Sequence, residues 1–342
     1  VTDWIEIDGA AGEGGGQIVR GALALSLGTG RAFRIDGVRA RRDKPGLRPQ
    51  HVSAVRLAAA VGGAEVEGCE VGSRMLSFSP GSVRPGSFEC EVGTAGSTAL
   101  VLQAVLPAIA GMATASELVL RGGTHTRRAP SLDFVTRTLL PRFHAMGASV
   151  EIDLVRPGFE PAGGGEVRVR IRPSGKLRRY EALSSGRSRI VSVRALVAGL
   201  QESIGTREVN LVGEVLSLPA ERRRVELTEG GPGNAVSIDV ETSAGVEVFT
   251  ALGRIGLPAE RVARNAIRDA RTFARAGVPV GQHLADQLLV PMALGAGGAF
   301  DTVLPTPHAT TQARLVEAFL PAARARFREL ESGRWRCEVT LD

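Results

Sequence analysis

The hydrophobic periodicity of this chain runs through one order of elements three times, and that repetition restricts its possible folds more than any single motif does. In the first pass a strand at 4–7 leads into a glycine-rich loop, Asp8-Gly-Ala-Ala-Gly-Glu13-Gly-Gly-Gly16. An apolar helix at 17–27, a strand at 34–38, a basic loop at 39–49, a helix at 50–61 and strands at 64–67 and 75–79 follow. The second pass reads strand 87–92, tight loop 93–96, helix 97–112, strand 117–120, basic loop 121–129, helix 130–146 and strands 149–154 and 166–171. Pro130 stands at the first position of its helix, where a missing N–H costs little. The third pass begins with a strand at 177–182 and breaks off. It resumes with a helix at 283–294, a strand at 300–304, a polar loop, a helix at 312–330 and a strand at 335–341.

Each uninterrupted unit is a β-α-β-α-β-β module of about eighty residues, by alignment of the periodicities. The expected fold class is α/β (α+β): three such units packing their helices into a helical core inside a ring of sheets. The interruption reads as a small inserted α/β domain at 184–277, with strands at 190–193 and 235–241, mixed segments at 202–215 and 221–228, and a charged helix at 260–276. The expected core then comprises 1–183 and 278–342. A length of 342 residues accommodates this arrangement. Aromatic residues make up 4% of the chain, so the core must be built mainly from Val, Leu and Ala.

A hydrophobic content of 43% with 23% charged residues excludes disordered and collagen-like classes. The formal charge of +6 suits a polyanionic partner. Cys69, Cys90 and Cys337 are scattered without CxxC pairing, so they read as free thiols in a reducing compartment. There is no run of eighteen apolar residues and no basic-then-apolar leader pattern, so a cytoplasmic protein with no membrane partner is expected.

The chemistry concentrates between Gly281 and Thr311. His283-Leu284-Ala285-Asp286-Gln287 sets three polar side chains on the first turn of an apolar helix, and His308 follows 21 residues after Gln287 in a loop before the next helix. In β-α-β-α elements with right-handed crossovers, both helices start at the carboxyl edge of the sheet, so the two polar sets should face one cleft. Of the five histidines, His308 is the best nucleophile candidate. His51 and His125 lie on cleft loops and could touch phosphate, whereas His144, beside Phe143 and Met146, reads as structural.

Other candidates carry a plain reading and a sharp one. The glycine-rich run lacks the Lys-Ser/Thr of a phosphate-binding loop and is usually just a turn. Its Glu13 would nevertheless suit a metal-bound triphosphate, because magnesium takes one or two carboxylates plus phosphate oxygens. A charge run such as Arg39, Arg41, Arg42, Lys44 and Arg48 is commonly a solvated face. At the edge of the cleft, phosphate capture is the better reading, and Arg121, Arg127 and Arg128 occupy the equivalent loop of the second unit. Gln103 inside an apolar helix either faces water or is a buried amide in need of a partner. No aromatic pattern for sequence-specific base reading is present.

Taken together, GEGGGQIVR, RARRDKPGLRPQH, GTAGSTALVLQAVLP, RGGTHTRRAPSLDFV, PAGGGEV, GPGN and HLADQLLVPMALGAGG make the chain resemble the RNA 3′-terminal phosphate cyclase family over nearly its whole length. The resemblance implies a three-repeat core with an inserted domain. It also implies ATP-dependent conversion of RNA 3′-phosphate ends to 2′,3′-cyclic phosphate. By the family pattern His308 is the adenylylated histidine, Gln103 and the His283–Gln287 block bind ATP, and Pro130 and His283 sandwich adenine. Family members often carry tyrosine where this chain has His283. Glu13 matches a glutamate that contacts a divalent metal, Mg or Mn. Arg20, Arg39, Arg41, Arg42, Gln50 and His51 form the expected RNA- and phosphate-binding set.

Two other classes compete. Non-catalytic cyclase-like RNA-binding proteins of ribosome assembly resemble the cyclases without the nucleophilic histidine, and His308 argues against them. Enolpyruvyl transferases use similar units on small molecules but generally need six, and three are visible here.

Overall fold

The computed structural model describes residues 4–12, 14–93, 95–183, 186–331 and 333–342. Unit one comprises β1 (Ile5–Asp8), α1 (Gly16–Thr29), β2 (Phe33–Asp36), α2 (Pro49–Gly62), β3 (Glu65–Glu67) and β4 (Met75–Ser79). In unit two, β5 (Ser87–Glu91), α3 (Thr98–Gln103), α4 (Leu106–Ile109) and β6 (Ser116–Gly122) are followed by α5 (Leu132–Phe134), which runs through a π-helical turn (Val135–Leu139) into α6 (Leu140–Ala145). The unit closes with β7 (Ser149–Arg156) and β8 (Gly165–Arg172), and β9 (Tyr180–Ala182) opens the third. An interrupting segment holds β10 (Arg189–Ala198), α7 (Glu202–Leu216), β11 (Arg223–Thr228), β12 (Gly233–Thr242), β13 (Gly245–Leu252) and α8 (Ala259–Ala276). Unit three then continues with α9 (Gln282–Leu294), β14 (Gly298–Thr302), α10 (Pro307–Phe319), β15 (Ala323–Glu331) and β16 (Arg334–Leu341).

Three of the sheets share one topology. Their orders are β1-β2-β4-β3, β5-β6-β8-β7 and β9-β14-β16-β15. In each, the first pair is parallel and the remaining pairs are antiparallel. A parallel pair needs a crossover, which the first helix of each unit supplies. The helices meet inside the ring of sheets. α1 is buried along Ile18–Val19 and Gly21–Leu27 and packs against helices of all three units. An all-round apolar helix is the expected occupant of such a centre. A Cβ on Gly21 would stand 2.6 Å from Gln312 Oε1, so glycine there permits the close approach of α1 and α10.

The interrupting segment builds its own sheet, β11-β10-β12-β13, with α7 and α8 on one face around Val193, Val209, Ile238 and Ile267. Its two ends meet on one ladder. Ala182 pairs with Phe300, and Val280 pairs in parallel with Thr302, two residues further along β14. Val280 thus continues the strand row that β9 begins.

Prolines explain where helix lengths depart from expectation. The helix expected at 97–112 is broken, because Pro107 has no N–H to give the carbonyl of Gln103. That expected at 130–146 starts at Leu132, capped by the Ser131 hydroxyl, so Pro130 precedes the helix. Pro141 cannot donate four residues back, and Leu140 N–H reaches Val135 O instead, opening the π-helical turn. The helix expected at 312–330 starts at Pro307, ends at Phe319 and gives way past Pro321 to β15. There Ala323, Ala325 and Phe327 alternate with Arg324, Arg326 and Arg328, a period of two that completes the unit with a second strand. Among the described residues no helix is long and apolar enough to cross a membrane.

Candidate active site

The strand-to-helix loops of the three units open on one cleft of about 1150 Å³. It gathers Arg20, Arg39, Arg41, Arg42, Gln50, His51, Gln103, Pro130, His283, Asp286, Gln287 and His308. The side chains of Leu284 and Ala285 are buried in the core instead, which leaves only their backbone for any part in the site. Glu13 lies outside the described residues.

His308 sits in the first turn of α10, not in a loop ahead of it. Thr306 caps the helix by accepting from Ala309 N (3.1 Å), Pro307 takes the first helical position and His308 the second. The Gln17 amide donates to His308 O at 3.4 Å, tying this turn to α1. Across the cleft, α9 follows its N-cap Gly281, whose N–H donates to the buried Glu247 carboxylate of β13. Gln287 Nε2 donates to His283 O (3.2 Å), while its buried Oε1 has no hydrogen-bond partner among the described residues and is available to a ligand donor. The His283 ring is exposed on the cleft wall. Desolvation and the neighbouring His308 hold it below the ordinary imidazole range, against the pull of Asp269.

The basic loop divides into two roles. Arg39 adopts φ 53° and its Nη1 donates to Lys44 O (2.6 Å) and Gly46 O (3.0 Å), so this guanidinium shapes the loop. Burial, then Arg48 and Arg42, lower its pKa. Arg41 and Arg42 are exposed on the cleft wall. His51 accepts from Arg48 N through Nδ1 at 2.9 Å, which puts the proton of the neutral ring on Nε2. Burial, with Arg20, Arg39 and Arg48 adding to it, pushes its pKa down to about 3, so the ring is a neutral donor. Gln103 has the partner a half-buried amide needs: Arg20 Nε donates to its Oε1 at 3.1 Å. Gln50 Oε1 accepts from Ser97 N at 3.4 Å.

Two expected phosphate contacts are displaced. Arg121 belongs to β6, on the outer sheet face, where Glu89 (2.9 Å), Glu91 (3.2 Å) and Glu166 (3.0 Å) hold it. Arg127 and Arg128 alone of that set line the cleft, and Arg127 is paired with Glu160 at 2.9 Å. His125 is buried, stacked on Phe159, with Nε2 3.2 Å from Asp133 Oδ2. Burial would raise the Asp133 pKa, but hydrogen bonding to His125 and the charge of Arg137 prevail and hold it low. His144 is structural, bonding Val150 O at 2.7 Å.

No sequence motif marks the wall that the interrupting segment supplies. Val248, Thr250, Ala251 and Leu252 of β13, with Asn265, Arg268 and Asp269 of α8, line the same cleft. The α8 trio has i, i+3, i+4 spacing, the only available signal, and on a charged helix that spacing looks like any solvated face.

A cleft that converges guanidiniums, amides, one buried neutral imidazole and two further histidines on the loops of a three-unit α/β fold defines a phosphate-handling protein. The chain belongs to the RNA 3′-terminal phosphate cyclase family, whose profile matches residues 11–325. It is 44% identical over 321 residues to the RNA 3′-terminal phosphate cyclase of Koribacter versatilis, covering 93% of this chain and 90% of that one. The Pseudomonas fluorescens cyclase is likewise 44% identical, covering 93% of each chain. That of Salmonella typhimurium is 42% identical over 337 residues, 98% of this chain and 96% of that one. A solved enolpyruvyl transferase, NikO from Streptomyces tendae, superposes with a TM-score of 0.36 at 9% identity over 98% of this chain and 48% of its own, too loosely to bear on fold or function.

Proposed function

We propose that this chain converts an RNA 3′-terminal phosphate to a 2′,3′-cyclic phosphate at the expense of ATP, through a covalent histidine–AMP intermediate. The observation that carries this reading is the placement of His308 on the first turn of α10, in one cleft with Arg41, Arg42, Gln103 and the α9 block. Family membership supports the overall reaction. A ring nitrogen of His308 attacks the α-phosphorus of ATP and pyrophosphate leaves. AMP passes to an oxygen of the RNA 3′-phosphate, freeing the histidine. The neighbouring 2′-hydroxyl then attacks the 3′-phosphorus, loses its proton and expels AMP.

The helix terminus contributes little to this chemistry, about 0.3–1 kcal/mol toward a neutral ring. Alignment of nucleophile and phosphorus supplies roughly 7–11 kcal/mol, so positioning dominates. Gln17 and the Thr306 cap fix the turn that carries His308. The α9 block, with the open Gln287 Oε1, fits a nucleotide, and His283 with Pro130 would flank its base. Arg41, Arg42, Gln50 and His51 would take the RNA end. A divalent metal, if used, would neutralise triphosphate charge. No group of three metal-ligating side chains occurs among the described residues, so such an ion would be carried chiefly by phosphate oxygens, with Asp286 and Glu13 as the candidate carboxylates.

The splice between Ala182 and Val280 supports reading 184–277 as an inserted domain. Cytoplasmic location is proposed from the three unpaired thiols and the ATP requirement; burial pushes the Cys90 thiol up to about 11. Incubation with α-labelled ATP tests the mechanism. The wild type should retain acid-labile AMP and His308→Ala should retain none while melting at the same temperature. Covalent AMP on the variant would remove His308 from the mechanism.

A further inference from the structure

A second, smaller cavity of about 200 Å³ lies between the π-helical turn of unit two and the sheet of the interrupting segment. It is lined by Arg137, Arg194, Arg222 and Arg224, with Ser192, Glu221 and Asp239. The strand alternation explains the convergence. Val193 and Ala195 of β10, Val225 of β11 and Ile238 of β12 point toward α7 and α8, so Ser192, Arg194, Arg224 and Asp239 project from the opposite face. Arg194 and Arg224 are direct partners on the β10–β11 ladder, and like charges at such a position destabilise a sheet. Arg222 precedes Arg224 by two residues, and Arg137 faces them from the other side.

Glu221 and Asp239 line the cavity with the four arginines, but among the described residues the ion pairs made there involve only Arg137 and Arg194. Asp239 is engaged by Arg137 and by the Ser192 hydroxyl (2.8 Å), and Asp133 also holds Arg137, at 3.1 Å. Arg194 reaches Glu226 only at 3.6 Å. Arg222 and Arg224, both exposed, have no ion-pair partner among the described residues. Guanidiniums left without an ion pair, as those of Arg222 and Arg224 are, match the forked geometry of a tetrahedral oxyanion.

We propose that this cavity is a second phosphate-binding site, and that it takes a phosphodiester of the RNA chain upstream of the end processed in the cleft. The two sites are close. Ser131 and Phe134 line the cleft and Arg137 lines the cavity, a separation of about 5–9 Å along the helix. On β12, Ser237 bonds the cleft residue Thr250 (3.1 Å), and Asp239, two residues on, lines the cavity, about 7 Å away. A polyanion anchored in the cleft therefore has further phosphates within reach of these arginines. The RNA assignment rests on the cyclase reading; the phosphate site itself does not.

The test compares cyclisation of a 3′-phosphorylated dinucleotide with that of a long 3′-phosphorylated single strand. In the double variant Arg222→Ala/Arg224→Ala, and in Arg224→Glu, the preference for the long strand should fall roughly five- to tenfold, as expected for one or two lost phosphate contacts. The slope of log affinity against log salt should become shallower by about 0.7 per contact. Calorimetric titration with inorganic phosphate forms the second arm. Phosphate binding lost in the double variant, with strand-length preference unchanged, would assign the site to free phosphate and overturn the RNA assignment. Wild-type behaviour in both arms, with unchanged melting, would overturn the site altogether. A wild type that cyclises neither substrate overturns the cyclase reading, and the calorimetric arm then decides the cavity by itself.

Discussion

The imidazole of His51 occupies the space that a side chain on Gly16 would need: a Cβ there would lie 2.2 Å from His51 Nε2. The ring cannot easily turn away, because Arg48 N–H holds its Nδ1 and protein covers it almost completely. Gly16→Ala should therefore destabilise the fold by roughly 1–3 kcal/mol, as overpacking does, and lower the melting temperature. Adding His51→Ala removes the obstruction, so the double variant should melt above Gly16→Ala alone. A Gly16→Ala protein that melts with the wild type would show that the ring yields freely.

The basic loop predicts a division among arginines that look alike in the sequence. Arg39 closes the loop on Lys44 O and Gly46 O, so Arg39→Ala should reduce stability by about 1–3 kcal/mol and impair adenylylation and cyclisation together. Arg41 and Arg42 are exposed on the cleft wall. Arg41→Ala and Arg42→Ala should melt normally and still form covalent AMP, yet cyclise poorly and with a shallower salt dependence. Equal loss of both steps in these two would assign them to ATP.

How much of this was readable follows a physical line. The triple repeat showed because alternation and helical spacing are local properties, and Arg39 to Arg48 stood out as a run of charge. What Arg39 does was hidden, since bonding to one's own loop and bonding to a ligand call for the same side chain. Ala323–Glu331 has the composition of a helix, because alanine and arginine favour helices, yet Pro321 and tertiary pairing with β16 make it a strand. The contributions of β13 and α8 to the cleft depend on how the interrupting segment docks. That docking is set by dispersed contacts such as Ser131–Thr250 (2.9 Å) and Gly281–Glu247, which leave no contiguous motif.

The interrupting segment also carries a pH signature. Glu208 is fully buried on α7; Asn234 Nδ2 donates to its Oε1, and its Oε2 has no hydrogen-bond partner among the described residues. Burial raises its pKa to about 8, with the Asn234 bond and Arg207 opposing. Because the folded value exceeds the unfolded one, the associated stability is complete below the ordinary glutamate range and is lost as pH rises toward 8. The loss amounts to at most about 5 kcal/mol. Glu208→Gln should flatten melting temperature against pH between about 4.5 and 8. A variant with the wild-type slope would place the titration elsewhere.

The final prediction concerns the 2′-hydroxyl, which takes part only in the last step of the proposed scheme. Transfer of AMP from His308 to the 3′-phosphate uses phosphate oxygens alone. A DNA 3′-phosphate, or an RNA end carrying 2′-O-methyl, should therefore accept AMP and stop there, because no vicinal hydroxyl can expel it. End-labelled oligonucleotides on a denaturing gel should show the adenylylated species as a slower band with no cyclic product. His51 bears on the alternative: it is a neutral donor lining the cleft, and if its Nε2–H engages the ribose, the 2′ position is checked before activation. Blocked ends would then bind without receiving AMP, and His51→Ala should restore their adenylylation. Accumulation of the adenylylated band with wild-type protein would assign His51 to the phosphate, and its absence in both proteins would overturn the order of the two transfers.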